Sequence, residues 1–129
     1  MLRKKSANPF KSKFEADIRK VLPKHILYET DVVHFVQPEK KRRYIPDWKI
    51  RENVYIESKG KLDLDARQKH VWIKDQHPEV TIYFLFMNAF NKIRKGSKTT
   101  YADWCEANGF EWADFKMGIP KHWLKNADK

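Results

Sequence analysis

The run VTIYFLFM, residues 80–87, constrains this chain more than any other stretch. It is apolar almost throughout and rich in β-branched and aromatic residues, so it reads as a buried strand, apolar on both faces. Other elements must cover such a strand on each side. As the longest apolar run, at eight residues, it falls far short of the ~20 that a membrane-spanning helix needs.

The neighbouring segments supply the cover. In SKFEADIRKVLPKH, Phe14, Ile18, Val21 and Leu22 fall on one helical face and Pro23 marks its stop. Ser12 and Glu15 stand at capping-box spacing. ILYETDVVHFVQ reads as one strand or a bent pair, and PEKKRR (38–43) as a charged linker. YIPDWKI and NVYIESK are short strands on either side of REN. Asp63 or Asp65 caps the helix ARQKHVWIKDQH, which Pro78 closes. NAFNKIRKGSK is a basic loop, and TTYADWCEANG a helix closed at Asn108-Gly109. The tail FEWADFKMGIPKHWLKN is irregular and aromatic, with a short helix opened by Pro120. Trp104, Trp112 and Trp123 read as packing residues rather than base-stacking platforms. This order predicts an α/β fold with helices flanking a mixed sheet. Residues 1–11 form a basic arm and 12–129 one domain.

Charge narrows the function. Lys and Arg outnumber Asp and Glu, 27 to 17, for a formal charge of +10. That excess repels itself, and its usual use is attraction to a polyanion, nucleic acid before anionic membrane. No strongly amphipathic basic helix supports a membrane role. The basic start has no apolar core behind it, so no signal peptide is expected. Cys105 stands alone, which excludes a disulfide within the chain and a cysteine-based zinc site. His70 and His77, seven apart, read as solvated or hydrogen-bonded residues rather than ligands. A soluble, intracellular protein is expected, with any metal held by oxygen.

The stretch YIPDWKIRENVYIESKG carries the chemistry. Along a strand, Tyr55, Glu57 and Lys59 share one face and Val54, Ile56 and Ser58 the other. With REN as a three-residue loop, Ile50 pairs with Val54 and Asp47 falls opposite Glu57; a two-residue loop would flip that parity. Two facing carboxylates repel unless a cation sits between them, and Mg²⁺ suits such an oxygen site. Lys59, on the Glu57 face, is placed to hold the attacking water or offset charge on a phosphate. The bland alternative is a solvent-facing hairpin.

Pro-Asp, a short gap and Glu-x-Lys, in this element order, resemble the signature of the PD-(D/E)xK nuclease superfamily. With YIPDWKI and VYIESKG, the stretches ARQKHVWIKDQHPEV and KGSKTTYADWCEANGF resemble the phage endonuclease I family, four-way junction resolvases, over roughly residues 10 to 125. The resemblance implies a restriction-endonuclease-like core and metal-dependent cutting of Holliday and other branched DNA. Mg²⁺ is the implied cofactor, Mn²⁺ substituting, with no small-molecule cofactor and no membrane partner. The products implied are 5′-phosphate and 3′-hydroxyl ends.

It further implies that Asp47, Glu57 and the Ser58 carbonyl bind metal and that Lys59 is the catalytic lysine. Glu15 becomes a further acidic active-site residue helping to hold a second metal, whereas its residues alone gave it the capping role. A domain-swapped homodimer is implied, exchanging 12–36 through a bridge near 37–43, in the cytoplasm of an infected bacterial host. Candidate DNA contacts are Arg3, Lys4, Lys5, Lys11 and Lys13, then Lys61 and Arg67, then Lys92, Arg94, Lys95 and Lys98. Other readings are a restriction or transposon-end nuclease of the same superfamily, or a catalytically silent DNA-binding module.

Overall fold

The computed structural model describes residues 10–37 and 40–127. Arg3, Lys4 and Lys5 of the basic arm lie outside the described residues, as do Pro38 and Glu39 of the expected bridge. The elements are α1 (Lys13–Val21), β1 (Leu27–Tyr28), β2 (Val33–Gln37), β3 (Lys40–Tyr44), β4 (Trp48–Arg51), β5 (Val54–Lys59), α2 (Leu64–Gln76), β6 (Thr81–Phe86), α3 (Tyr101–Ala107), β7 (Glu111–Asp114) and α4 (Lys121–Leu124).

A five-stranded sheet runs β1-β4-β5-β6-β7, and β2 and β3 form a separate hairpin sheet. Pairing is antiparallel from β1 to β5 and parallel from β5 to β7. This is the expected mixed sheet flanked by helices. β6 explains the apolar run. Ile82, Phe84 and Phe86 pack into one core with α2, α3 and the hairpin. Tyr83 and Leu85 pack into the other, with α1 and Trp123 of α4. Both faces of the strand are covered, as its sequence required.

Three expectations change, and one open alternative is decided. Val21 is 56% exposed, while Phe14, Ile18 and Leu22 are buried. Its position at the end of α1 takes it off the packed face. ILYETDVVHFVQ is a pair of strands divided between sheets, with Glu29 in the left-handed region at φ 49° where the chain breaks. The charged linker is largely strand: 40–44 pairs with β2, from Val33↔Tyr44 to Gln37↔Lys40. Its Lys and Arg side chains stay exposed, as charges on an edge strand commonly do. The irregular tail includes β7, a short strand that continues the parallel pairing beside β6.

Caps form largely where the sequence placed them. Asp63 Oδ1 accepts from the Ala66 N–H at 2.9 Å and caps α2. Thr100 and Asp103 make a reciprocal capping box on α3. Gly109, at φ 77°, takes the left-handed turn that follows α3. The tryptophans pack: Trp123 stacks on Tyr83 at 4.6 Å and Trp104 on Phe110 at 5.5 Å.

The KDQHPE stretch ties α2 to the hairpin. Gln76 Oε1 accepts from the Val36 N–H and Gln76 Nε2 donates to the Val36 carbonyl, each at 2.5 Å. The His77 ring meets the His34 carbonyl and Glu79. The amide of Gln76 thus pairs with β2 as a strand neighbour would.

Candidate active site

Register decides whether Asp47 can meet Glu57. The turn between β4 and β5 is Glu52–Asn53, two residues, with Asn53 at φ 63°. From Arg51↔Val54 alone, Asp47 would fall opposite Ser58. A slip between Lys49 and Arg51 restores the other parity, because Trp48 pairs with Ile56. Continuing that register by one residue sets Asp47 opposite Glu57. The expected facing is reached through an irregularity in β4 rather than through a three-residue loop.

Both carboxylates are buried, Asp47 at 8% and Glu57 at 5% exposure. Asp47 Oδ2 accepts from the Ser58 N–H at 3.0 Å and from its hydroxyl at 2.7 Å. Burial is the main force raising the Asp47 pKa to about 8, followed by the Glu57 charge, with the Ser58 hydrogen bonds opposing. Glu57 Oε1 accepts from the Tyr44 hydroxyl at 2.6 Å, and Oε2 lies 3.4 Å from Lys59 Nζ. Burial, then the Glu57 charge, hold the Tyr44 hydroxyl well above its ordinary pKa, so it stays a donor. His70, fully buried, packs edge-on between Tyr44 and Phe84 at 5.0 and 4.8 Å. Neither ring nitrogen has a hydrogen-bond partner among the described residues, and burial pulls its pKa well down. His70 is therefore neutral and packed between rings, its Nε2 3.9 Å from Glu57 Oε2, neither solvated nor hydrogen-bonded as expected. His77 does make hydrogen bonds.

Glu15 does two jobs. Its backbone N–H donates to the Ser12 side chain at 3.1 Å, half of a capping box. Its carboxylate turns away from the cap and accepts from Tyr28 Oη at 3.1 Å. There it converges with Asp47 and with Glu29, a residue the sequence did not single out. One oxygen from each of the three lies within 4.8 Å of the others. Glu57 stands outside that trio. The Glu29 N–H donates to the Asp47 carbonyl at 2.8 Å, and its carboxylate is 3.1 Å from Lys11 Nζ. The one available signal for Glu29 was an acid inside an otherwise strand-like apolar run.

A cleft of about 360 Å³ opens over these groups, lined by Glu15, Asp47, Glu57, Ser58 and Lys59 with Tyr44 at its wall. Converging carboxylate oxygens, whose burial and mutual repulsion raise the Asp47 pKa, suit a hard divalent cation that prefers oxygen donors and would offset that repulsion. Glu15, Glu29 and Asp47 could hold such an ion, with Glu57 beside them.

The description "Phage endonuclease I" fits residues 2–129 as a family. The chain belongs to the phage endonuclease I family. It is similar to "Endonuclease I" of Escherichia phage T7, 38% identical over 102 residues, 79% of this chain and 67% of that protein. It is also similar to "Endodeoxyribonuclease 1" of Enterobacteria phage T3, 41% identical over 87 residues, 67% of this chain and 57% of that protein. The match thus leaves about a third of the first relative's length and over two fifths of the second's outside it.

The basic residues of this family member divide. Lys11 borders the cleft, whose other cations are Arg43, Lys59 and Lys69. Lys13 pairs with Asp17 at 3.4 Å on the exposed face of α1. Lys61, Lys92, Arg94, Lys95 and Lys98 are exposed but do not line the cleft. Arg67 does not fit a DNA-contacting role. It is buried and donates to the Leu62 and Ile93 carbonyls at 3.2 and 3.0 Å, bracing the basic loop. Both bonds come from Nη1, and at 8% exposure little of the side chain is left for a phosphate.

Proposed function

We propose that this chain is a metal-dependent, structure-selective DNA endonuclease that resolves four-way and other branched junctions. The observation that carries this reading is the polar cleft lined by Glu15, Asp47, Glu57 and Lys59, with Glu29 converging on Glu15 and Asp47. A net charge of +10 and phage relatives named endonucleases agree with a DNA substrate. The β4–β5 pair, the α2 crossover to β6 and the Pro-Asp…Glu-x-Lys placement support a PD-(D/E)xK core.

Asp47, Glu15 and Glu29, with Glu57 and the Ser58 carbonyl, would hold Mg²⁺ or Mn²⁺. Bound there, such a cation supplies a lowered water pKa and charge stabilisation for the leaving oxygen. Ser58 fixes the Asp47 carboxylate and Tyr44 fixes Glu57. Lys59, close to Glu57 Oε2, orients the attacking water and offsets charge growing on the phosphate. Water attacks phosphorus in line, the bond to the 3′ oxygen breaks, and a 5′-phosphate and 3′-hydroxyl remain.

A homodimer exchanging residues 12–36 through the 37–43 segment belongs to the same reading. Within one chain Gln37 pairs with Lys40, closing a hairpin. Opening it would let Glu15 meet the Asp47 of a partner in the geometry seen within one chain. Two such sites on one dimer suit the arms of a branched duplex. Host cytoplasm is the compartment such an activity needs, and no described helix is long and apolar enough to cross a membrane.

The test is cleavage of an end-labelled four-way junction beside a linear duplex of the same arm sequence, with and without Mg²⁺. Paired cuts near the branch, on the junction and only with metal, are expected. Binding without cutting under any divalent metal would overturn the reading.

A further inference from the structure

Lys69 is the residue the proposed chemistry leaves unexplained. It sits on α2, half-buried, and lines the catalytic cleft together with Asp47 and Glu57. Among the described residues its ammonium makes no hydrogen bond and no ion pair; it lies 5.3 Å over the Tyr44 ring. Lys59, by contrast, is engaged by Glu57, and Lys11 by Glu29. A half-buried cation without a counter-ion is costly, and a ring face repays only part of that. Burial accordingly pulls the Lys69 pKa down, the Glu57 charge opposing.

A second polar cleft of about 390 Å³ adjoins the first, and Lys59 and Lys69 line both. Arg42 and Trp72 form part of its wall; Asp63 and Asp65 also line it, Asp63 being held by its cap on α2. The two shared lysines thus stand on the path between the clefts. A strand whose scissile phosphate lies against Asp47, Glu57 and Lys59 can place its next phosphate along such a path.

We propose that Lys69 is a phosphate-binding residue, holding the backbone phosphodiester next to the scissile one as the cut strand passes from the catalytic cleft into the second cleft. This rests on reading the first cleft as a phosphodiester-cutting centre. Lys69 positions the strand and takes no proton in the reaction. Its ammonium lies over the Tyr44 ring, so it is set in the cleft before substrate arrives. Arg42, exposed on the hairpin, is already engaged by Gln37 Oε1 at 2.7 Å and the Phe35 ring, and Arg43 is exposed.

The experiment measures four-way-junction affinity in metal-free buffer at several salt concentrations, for wild type, Lys69→Ala and Lys69→Arg, with kcat at saturating junction and Mg²⁺. One phosphate contact contributes about 0.9 to the slope of log affinity against log salt. Lys69→Ala should therefore have a slope shallower by about 0.9. Between 50 and 200 mM salt, wild type should lose about 3.5-fold more affinity than the variant. Lys69→Arg should keep the wild-type slope, and kcat of Lys69→Ala should fall much less than its affinity.

An unchanged slope in Lys69→Ala overturns the proposal. So does a loss confined to kcat. Should Lys69→Ala fold poorly, Lys69→Gln removes the charge while keeping a polar side chain at this position and must show the same shallower slope. Wild type that binds but never cuts the junction would overturn the nuclease reading itself. Wild type that cuts, beside an unchanged Lys69→Ala slope, would overturn this proposal alone.

Discussion

Asp47 and Ser58 meet across the β4–β5 hairpin, one carboxylate oxygen of Asp47 accepting from both the N–H and the hydroxyl of Ser58. The strand that carries Glu57 and Lys59 therefore also orients the other candidate ligand. One Asp47 oxygen is fixed by protein and the other is left for a cation. Ser58→Ala removes the hydroxyl bond and keeps the backbone one. It should cost about 1 kcal/mol of stability and weaken Mn²⁺ binding about tenfold, while cutting persists at higher metal. Thermal melts and calorimetric Mn²⁺ titration read the two effects separately.

Glu57→Ala should slow junction cutting by about a thousandfold or more, on the order of 4 kcal/mol of transition-state stabilisation. Metal-free junction binding should remain near wild type, because a carboxylate repels phosphate. A gel-shift assay beside the cleavage assay reads both. Loss of binding in a folded variant would count against the catalytic assignment.

Tyr44→Phe takes the hydroxyl from Glu57 and keeps the ring against His70 and Lys69. With that bond gone, Glu57 is free to reorient, so half-saturating Mn²⁺ should rise about tenfold. Tyr55→Phe is the matched control, since the Tyr55 hydroxyl donates to Asp31 at 2.8 Å instead. Equal effects of the two variants on Mn²⁺ binding would show that Tyr44 has only a packing role.

Metal-free protein should lose stability as pH rises from about 4 to about 8. The Asp47 pKa moves from 3.8 to about 8 on folding, so across that window the folded state holds the extra proton. Stability falls wherever the folded state binds more protons than the unfolded one. Asp47→Asn should flatten this part of the curve, and added Mg²⁺ should restore wild-type stability at pH 8 by displacing the proton. Melting temperature against pH for both proteins, with and without Mg²⁺, makes the comparison.

Gln76→Ala should loosen β2 from α2 by removing both bonds to Val36. A cost of about 1–2 kcal/mol and faster amide exchange at Val36 than at Ile56 are expected. Equal exchange changes throughout the sheet would instead indicate global destabilisation.

Local sequence fixed much of the site's raw geometry. Alternation along β5 sends Tyr55 and Ile56 to opposite cores, as the two-residue period requires. Ser12, Asp63 and Thr100 cap helices because short polar side chains reach the first free N–H groups. The Pro-Asp…Glu-x-Lys spacing marked the cleft because carboxylates in a half-buried strand need a partner.

Other features depend on contacts distant in sequence. Arg67 looked like a surface cation, yet the Ile93 carbonyl, 26 residues on, makes it internal. KKRR reads as a linker until β2 offers it a ladder. Glu29 becomes a possible ligand only because a left-handed turn lets β1 deliver it beside Asp47 and Glu15. Periodicity, capping and motif spacing act over a few residues and are written in the chain itself. The carboxylate trio, the Tyr44–Glu57 bond and the position of Lys69 between two clefts are agreements among remote segments. Packing alone decides those, because only the folded sheet brings their side chains within reach.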